Sequence, residues 1–209
     1  MELQAELIKK NYDTFVKLCG ALGDRSEVVL AMVDHFGERL ALTPASSRKE
    51  FHCAFPGGLV DHSLRVLANA NNLIKIWETD EDIPKESLIL SALFHDFGKV
   101  GGLEEGEDLY LHETSEWHRN VLGRMYTHNS DIAYMTTSDR ALWLMQQFDV
   151  KLTQDEWLAI KLNDGHEADE NRPYRMKESV LALIIHAADR MACQQEKEIS
   201  QRQEKEEVD

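Results

Sequence analysis

Apolar residues recur every three or four positions along nearly the whole chain, the spacing of helices that bury one face. Leu3, Leu7, Ile8, Phe15, Val16 and Cys19 form one such stripe and predict a first helix ending near Gly20 and Gly23. A second starts at about Ser26, with Val29, Met32, Val33, Phe36 and Leu40 as its stripe. Thr43-Pro-Ala-Ser-Ser and Pro56-Gly57-Gly58 read as turns. After Gly58 a helix carries Leu59, Val60, Leu64, Val66, Leu67 and Leu73. Pro84, a favoured first helical residue, opens the next, which runs through Leu88-Ile-Leu-Ser-Ala-Leu-Phe-His-Asp to a stop at Gly98. That helix is apolar on almost every side, so it is predicted to be central.

Residues 98–115 are rich in glycine and acid and read as a loop with a short extended piece at Leu109-Tyr-Leu. Helices are predicted from Ser115 to Tyr126 and from Ala141 to Gln147. Thr153-Gln-Asp-Glu156 has capping-box form and opens a helix reaching Leu162. Gly165 to Tyr174 is polar loop, and a long last helix starts near Met176, with Val180, Leu181, Leu183, Ile184, Ile185 and Ala188 as its apolar content. From Gln194 the sequence keeps helix propensity with almost nothing to bury, and is read as a frayed or disordered tail. Strand signals are few, so the fold class is all-α: N-terminal helices over 1–45, a core domain over 46–193 and a charged tail over 194–209.

Composition narrows the partners. With 43% hydrophobic and 29% charged residues the chain is an ordinary globular sequence. No apolar run approaches the ~20 residues of a membrane span, and the N-terminus lacks the basic-then-apolar order of a signal peptide. Three scattered cysteines form neither a disulfide framework nor a CxxC zinc site, which suits a reducing cytoplasm. A formal charge of −15 disfavours long nucleic acid and favours a small phosphorylated ligand carried with its own cation.

The chemistry concentrates in Leu93-Phe94-His95-Asp96-Phe97-Gly98-Lys99. An imidazole and a carboxylate end a helix that is otherwise apolar, and a buried carboxylate needs a cation or a full set of hydrogen bonds. Alone, the pair reads rather as a helix C-terminus where His meets the helix dipole and Asp is solvated. Two further segments change the balance. Pro56-Gly-Gly-Leu-Val-Asp-His62 puts an imidazole early on one apolar helix, and Ile185-His-Ala-Ala-Asp189 puts an acid within another. Three apolar helices thus bring nitrogen and oxygen donors toward one core.

In this order of ligands the sequence resembles the HD-domain superfamily of metal-dependent phosphohydrolases, over residues 50–193. The resemblance implies an all-α, HD-domain-like bundle with His62, His95, Asp96 and Asp189 as metal ligands in its core. Phe51-His-Cys-Ala-Phe-Pro-Gly-Gly-Leu-Val-Asp-His62 is similar to the leading segment of the branch that includes 3′–5′ exoribonucleases. The implied cofactor is one divalent ion among Mn, Ni, Co, Fe, Zn and Mg, with a second possible. Such an ion activates water and polarises phosphate, and the resemblance gives Asp96 a second role in orienting or deprotonating that water.

Lys99, beyond a glycine from Asp96, is a catalytic and substrate-binding candidate as an ammonium for phosphate. His52, His118, Arg119, His166 and Arg175 are further substrate-binding candidates, each with a bland counterpart as a loop or surface residue. His112 and His128 read as parts of an exposed lid, and His186 as either a neighbour of the ligands or a core histidine. The leading expectation is hydrolysis of a phosphate ester of a nucleotide-like substrate, a mono- or triphosphate before a polymer. Alternatives are an exonuclease or phosphodiesterase on short oligonucleotides or cyclic nucleotides, a non-catalytic metal- and nucleotide-binding regulator, and a helical protein with a structural ion. Spare apolar residues on the first helix suit either a homodimer contact or the core.

Overall fold

A computed structural model of the chain describes residues 2–77 and 82–206. Helices α1 (Glu2–Cys19), α2 (Ser26–Leu42), α3 (Gly58–Ile76) and α4 (Lys85–Phe94) follow one another closely. A small hairpin comes next, β1 (Tyr110–His112) and β2 (Tyr126–His128), with α5 (Glu116–Leu122) between its strands. Helices α6 (Thr137–Gln147), α7 (Gln154–Lys161) and α8 (Val180–Glu206) complete the bundle. The fold is all-α, as the periodicity predicts, with one antiparallel ribbon in which Tyr110 faces His128 and His112 faces Tyr126.

The core explains the order of burial. Helix α4 is sheathed by α1, α3, α7 and α8, and every residue from Ser87 to Phe94 is buried. Phe94, Phe97, Phe15 and Phe36 interlock edge-to-face with centroids 5.1–5.5 Å apart, a geometry favoured by the aromatic quadrupole. Helix α8 lies along α3 and α7. The donors on α3, at the end of α4 and on α8 therefore meet where these helices converge.

Several boundaries differ from the sequence reading, each for a local reason. Helix α4 ends at Phe94, and residues 97–100 form a 3₁₀ turn, so Gly98 is not its stop. Pro84 caps α4 from outside its first turn. The predicted helix 115–126 ends at Leu122, because Gly123 turns left-handed (φ 59°) and Tyr126 enters β2. Helix α2 is broken at Gly37 (φ 41°, ψ −117°), a conformation that side chains with a Cβ avoid. The last helix starts at Val180 rather than Met176 and continues through Glu206. The expectation that little beyond 193 is buried fails at Glu196, which is 5% exposed.

Candidate metal centre

The Pro56-Gly57-Gly58 turn aims the first candidate ligand. Gly57 is left-handed (φ 84°) at the N-cap of α3, and a Cβ on Gly58 would sit 2.0 Å from the Cys53 carbonyl oxygen. Backbone can pass this closely only at glycine. One turn later His62 is fully buried. His95 and Asp96 follow the last turn of α4, also buried, and Asp189 projects from the middle of α8. His62 Nε2 lies 3.1 Å from Asp189 Oδ1 and 3.7 Å from Asp96 Oδ2. His95 Nε2 lies 3.5 Å from Asp96 Oδ2 and 3.9 Å from Asp189 Oδ1.

The far sides of both rings are committed. His62 Nδ1 donates to Glu196, 3.1 Å from either carboxylate oxygen. His95 Nδ1 donates to the Ala92 carbonyl at 2.9 Å. Each bond commits Nδ1 as a donor and turns Nε2 toward the two acids. Neither Nε2 has a hydrogen-bond partner, the 3.1 Å approach to Asp189 being out of line for one. An orphaned buried polar atom costs about 1–3 kcal/mol. Two of them opposite two carboxylates form a donor set that one divalent cation satisfies at once. Donor atoms of His62, His95 and Asp96 all lie within 4.8 Å of one another, as do those of His52, His62 and Cys193.

The site's field is built for positive charge. Burial pushes the His62 imidazole down, but the Asp189 and Glu196 carboxylates outweigh it and raise it to about 9. Burial pushes Asp96 up, and Lys99 and His95 hold it well below the usual carboxylate range. Asp189 is likewise lowered, burial being overcome by His62 and His95. Lys99 touches Asp96 Oδ2; desolvation opposes its charge, and Asp96 more than restores it.

Above this floor opens a cleft of roughly 390 Å³. Asp96 and Asp189 line it together with Lys99, His52, Tyr110 and Asp164. His52 Nδ1 donates to Glu196 Oε2 at 3.1 Å, so it serves the same carboxylate as His62. His128 also lines the cleft, from β2, although the sequence places it on a lid. His118, Arg119, His166 and Arg175 do not line it. His118 Nδ1 pairs with Glu113 at 3.3 Å; Arg119, His166 and Arg175 are solvent-exposed on α5 and the 165–175 turns.

Two supports were not anticipated as such from the sequence. Glu196 joins His62, His52 and Arg65, the last at 3.2 Å, and the His52 and His62 imidazoles outweigh burial to bring its carboxyl down to about 2. Asn163 donates toward the His95 carbonyl at 3.4 Å and Asp96 Oδ1 at 3.5 Å. His186 donates from Nδ1 to the Asn163 carbonyl at 2.7 Å, so of its two readings it supports a neighbour of Asp96. Asp189, Cys193 and Glu196 share one face of α8 at i, i+4 and i+7, the only trace of Glu196 in the sequence.

The family comparison agrees with this geometry. The sequence model of the HD domain matches residues 59–193 and takes in His62, His95, Asp96 and Asp189. The chain belongs to the HD-domain family. HD domains bind divalent metals and are as a family metal-dependent phosphohydrolases. The match begins within the 51–62 segment, on which the likeness to the exoribonuclease branch rests, and ends before Glu196. No curated protein and no solved structure matches the chain significantly. Among the described residues, no helix of this HD protein is long and apolar enough to cross a membrane.

Proposed function

We propose that this HD protein hydrolyses a phosphate ester of a small nucleotide-like substrate, a nucleoside mono- or triphosphate, with one divalent ion held by His62, His95, Asp96 and Asp189. The observation that carries the reading is the pair of buried, unpartnered Nε2 atoms facing Asp96 and Asp189 at the floor of a cleft. When bound, the ion supplies Lewis acidity toward a phosphoryl oxygen and acidifies water.

The chain's own groups do the rest. Lys99 touches Asp96 and lines the cleft beside it, where its ammonium meets a phosphoryl oxygen. Asp96, steadied by Lys99 and Asn163, orients the attacking water and takes its proton. Asp164 also lines the cleft, where desolvation and the Asp96 charge raise its carboxyl. A cleft of about 390 Å³ lies in the range of small-molecule sites and suits a mononucleotide better than a polymer.

The test is metal content of protein purified without chelator, followed by a phosphate-release screen with Mn, Ni, Co, Zn and Mg. The screen covers nucleoside mono- and triphosphates, cyclic nucleotides and short oligonucleotides. The expected result is turnover of one class that disappears on chelation and in Asp96→Ala. Bound metal with no turnover would replace the enzyme with a nucleotide-binding regulator, and absence of metal under every condition would overturn both.

A further inference from the structure

A second cavity adjoins the cleft. A groove of about 510 Å³ runs between the 48–51 turn, the end of α5 and the last turns of α8, and Phe51 and Lys197 line both spaces. Arg48 and Lys49 line this groove alone, with Leu122 and Gln201. Glu50 is the groove's one acid and is engaged by Arg48 at 3.0 Å. Among the described residues neither Lys49 nor Lys197 pairs with a carboxylate. On a chain of formal charge −15 such a surplus of cations is out of character, and it directly adjoins the metal floor. Phe51 is 44% exposed between the two spaces, with the Arg48 guanidinium 6.0 Å from its ring centroid.

We propose that this groove is a second phosphate subsite, so that the substrate carries a further phosphate one nucleoside away from the one cleaved. The scissile phosphate sits over His62, His95, Asp96 and Asp189, the nucleoside lies on Phe51, and the distal phosphate meets Lys49, Lys197 and Arg48. Aromatic stacking beside a cationic track binds nucleotides without needing base-specific hydrogen bonds, and ammonium groups recognise phosphate as point charges. The groove accounts for a feature that a mononucleotide leaves unused: Lys49, beyond Phe51 and outside the first cleft, with no carboxylate partner among the described residues. The ligand chemistry is shared by a nucleoside 3′,5′-bisphosphate and a 5′-phosphorylated dinucleotide.

This inference rests on the phosphohydrolase reading, and its test separates the two. On metal-loaded protein, kcat/KM is compared for a nucleoside 5′-monophosphate, the 3′,5′-bisphosphate and the dinucleotide of the same base. Wild type is expected to favour one or both of the latter by about tenfold, the worth of one charge-assisted contact. Lys49→Glu, on the exposed rim, should erase that advantage and leave monophosphate turnover unchanged. The arm that shows the gain identifies the source of the distal phosphate. Equal kcat/KM for all three, or an advantage that survives Lys49→Glu, overturns the subsite. If no phosphate ester is turned over, calorimetric titration with the bisphosphate decides. Binding weakened about tenfold by Lys49→Glu keeps the subsite while the hydrolase reading falls, and binding indifferent to the substitution overturns it.

Discussion

Glu196→Gln isolates what a carboxylate outside the metal's reach does for the centre. Both its oxygens lie 3.1 Å from His62 Nδ1, while His52 at 3.1 Å and Arg65 at 3.2 Å hold it in place. Glutamine keeps the volume and one acceptor but removes the charge. A full unit charge about 4 Å from another is worth about 4 kcal/mol at an effective dielectric near 20. The imidazole acquires only part of a charge when its Nε2 engages a cation, so the loss should be about 1.4–2.7 kcal/mol. That is roughly 10- to 100-fold in metal affinity, the usual cost of removing such an outer partner. The assay is competition with a chromophoric chelator for Mn²⁺ or Zn²⁺, alongside melting of the metal-free protein to establish that the variant is folded. Glu196→Asp should recover part of the affinity. Unchanged metal affinity in a folded Glu196→Gln protein would refute the role assigned to this bond.

Glu196 also shows where the sequence stops speaking. His95-Asp96 was legible because a charged pair at the end of an all-apolar helix demands an explanation, and α4 is indeed buried throughout. His62 and Asp189 were legible as donors on apolar stripes, and the three helices do converge. Glu196 lies in Gln-Gln-Glu-Lys-Glu, where no apolar stripe marks an inner face, so a buried acid looks like a solvated one. The strands at 110–112 and 126–128 are too short for alternation to register, and α5 separates the two partners along the chain. That pairing brings Tyr110 and His128 to the cleft, whereas the denser Trp117-His118-Arg119 cluster sits on α5, with His118 engaged by Glu113. Local richness in histidine therefore misled, because position in the cleft is set by the hairpin and not by composition. The helical breaks at Gly37 and Gly123 follow from backbone angles that a glycine permits but does not announce.

Gly58→Ala should cost roughly 1–3 kcal/mol, since the added methyl meets the Cys53 carbonyl and the backbone must shift. Because that turn aims α3, metal affinity should fall with the melting temperature; a stable variant of normal affinity would show that the turn does not position His62. A last prediction lies away from the metal and follows from linkage. Glu156 is fully buried, 2.7 Å from Arg25, and closes the capping box of α7 by accepting from the Thr153 amide at 2.8 Å. Burial pushes its carboxyl up, but Arg25 and the Thr153 amide outweigh burial and hold it below the usual range. A folded value below the unfolded one, about 4.3, means the stabilisation is complete above that pH and is lost as pH falls through the folded value. Glu156→Gln should therefore lose about 1–3 kcal/mol in urea unfolding at pH 7, and the gap to wild type should close below about pH 4. A gap that stayed constant down to pH 3 would mean that the ionised pair contributes nothing beyond what the amide retains.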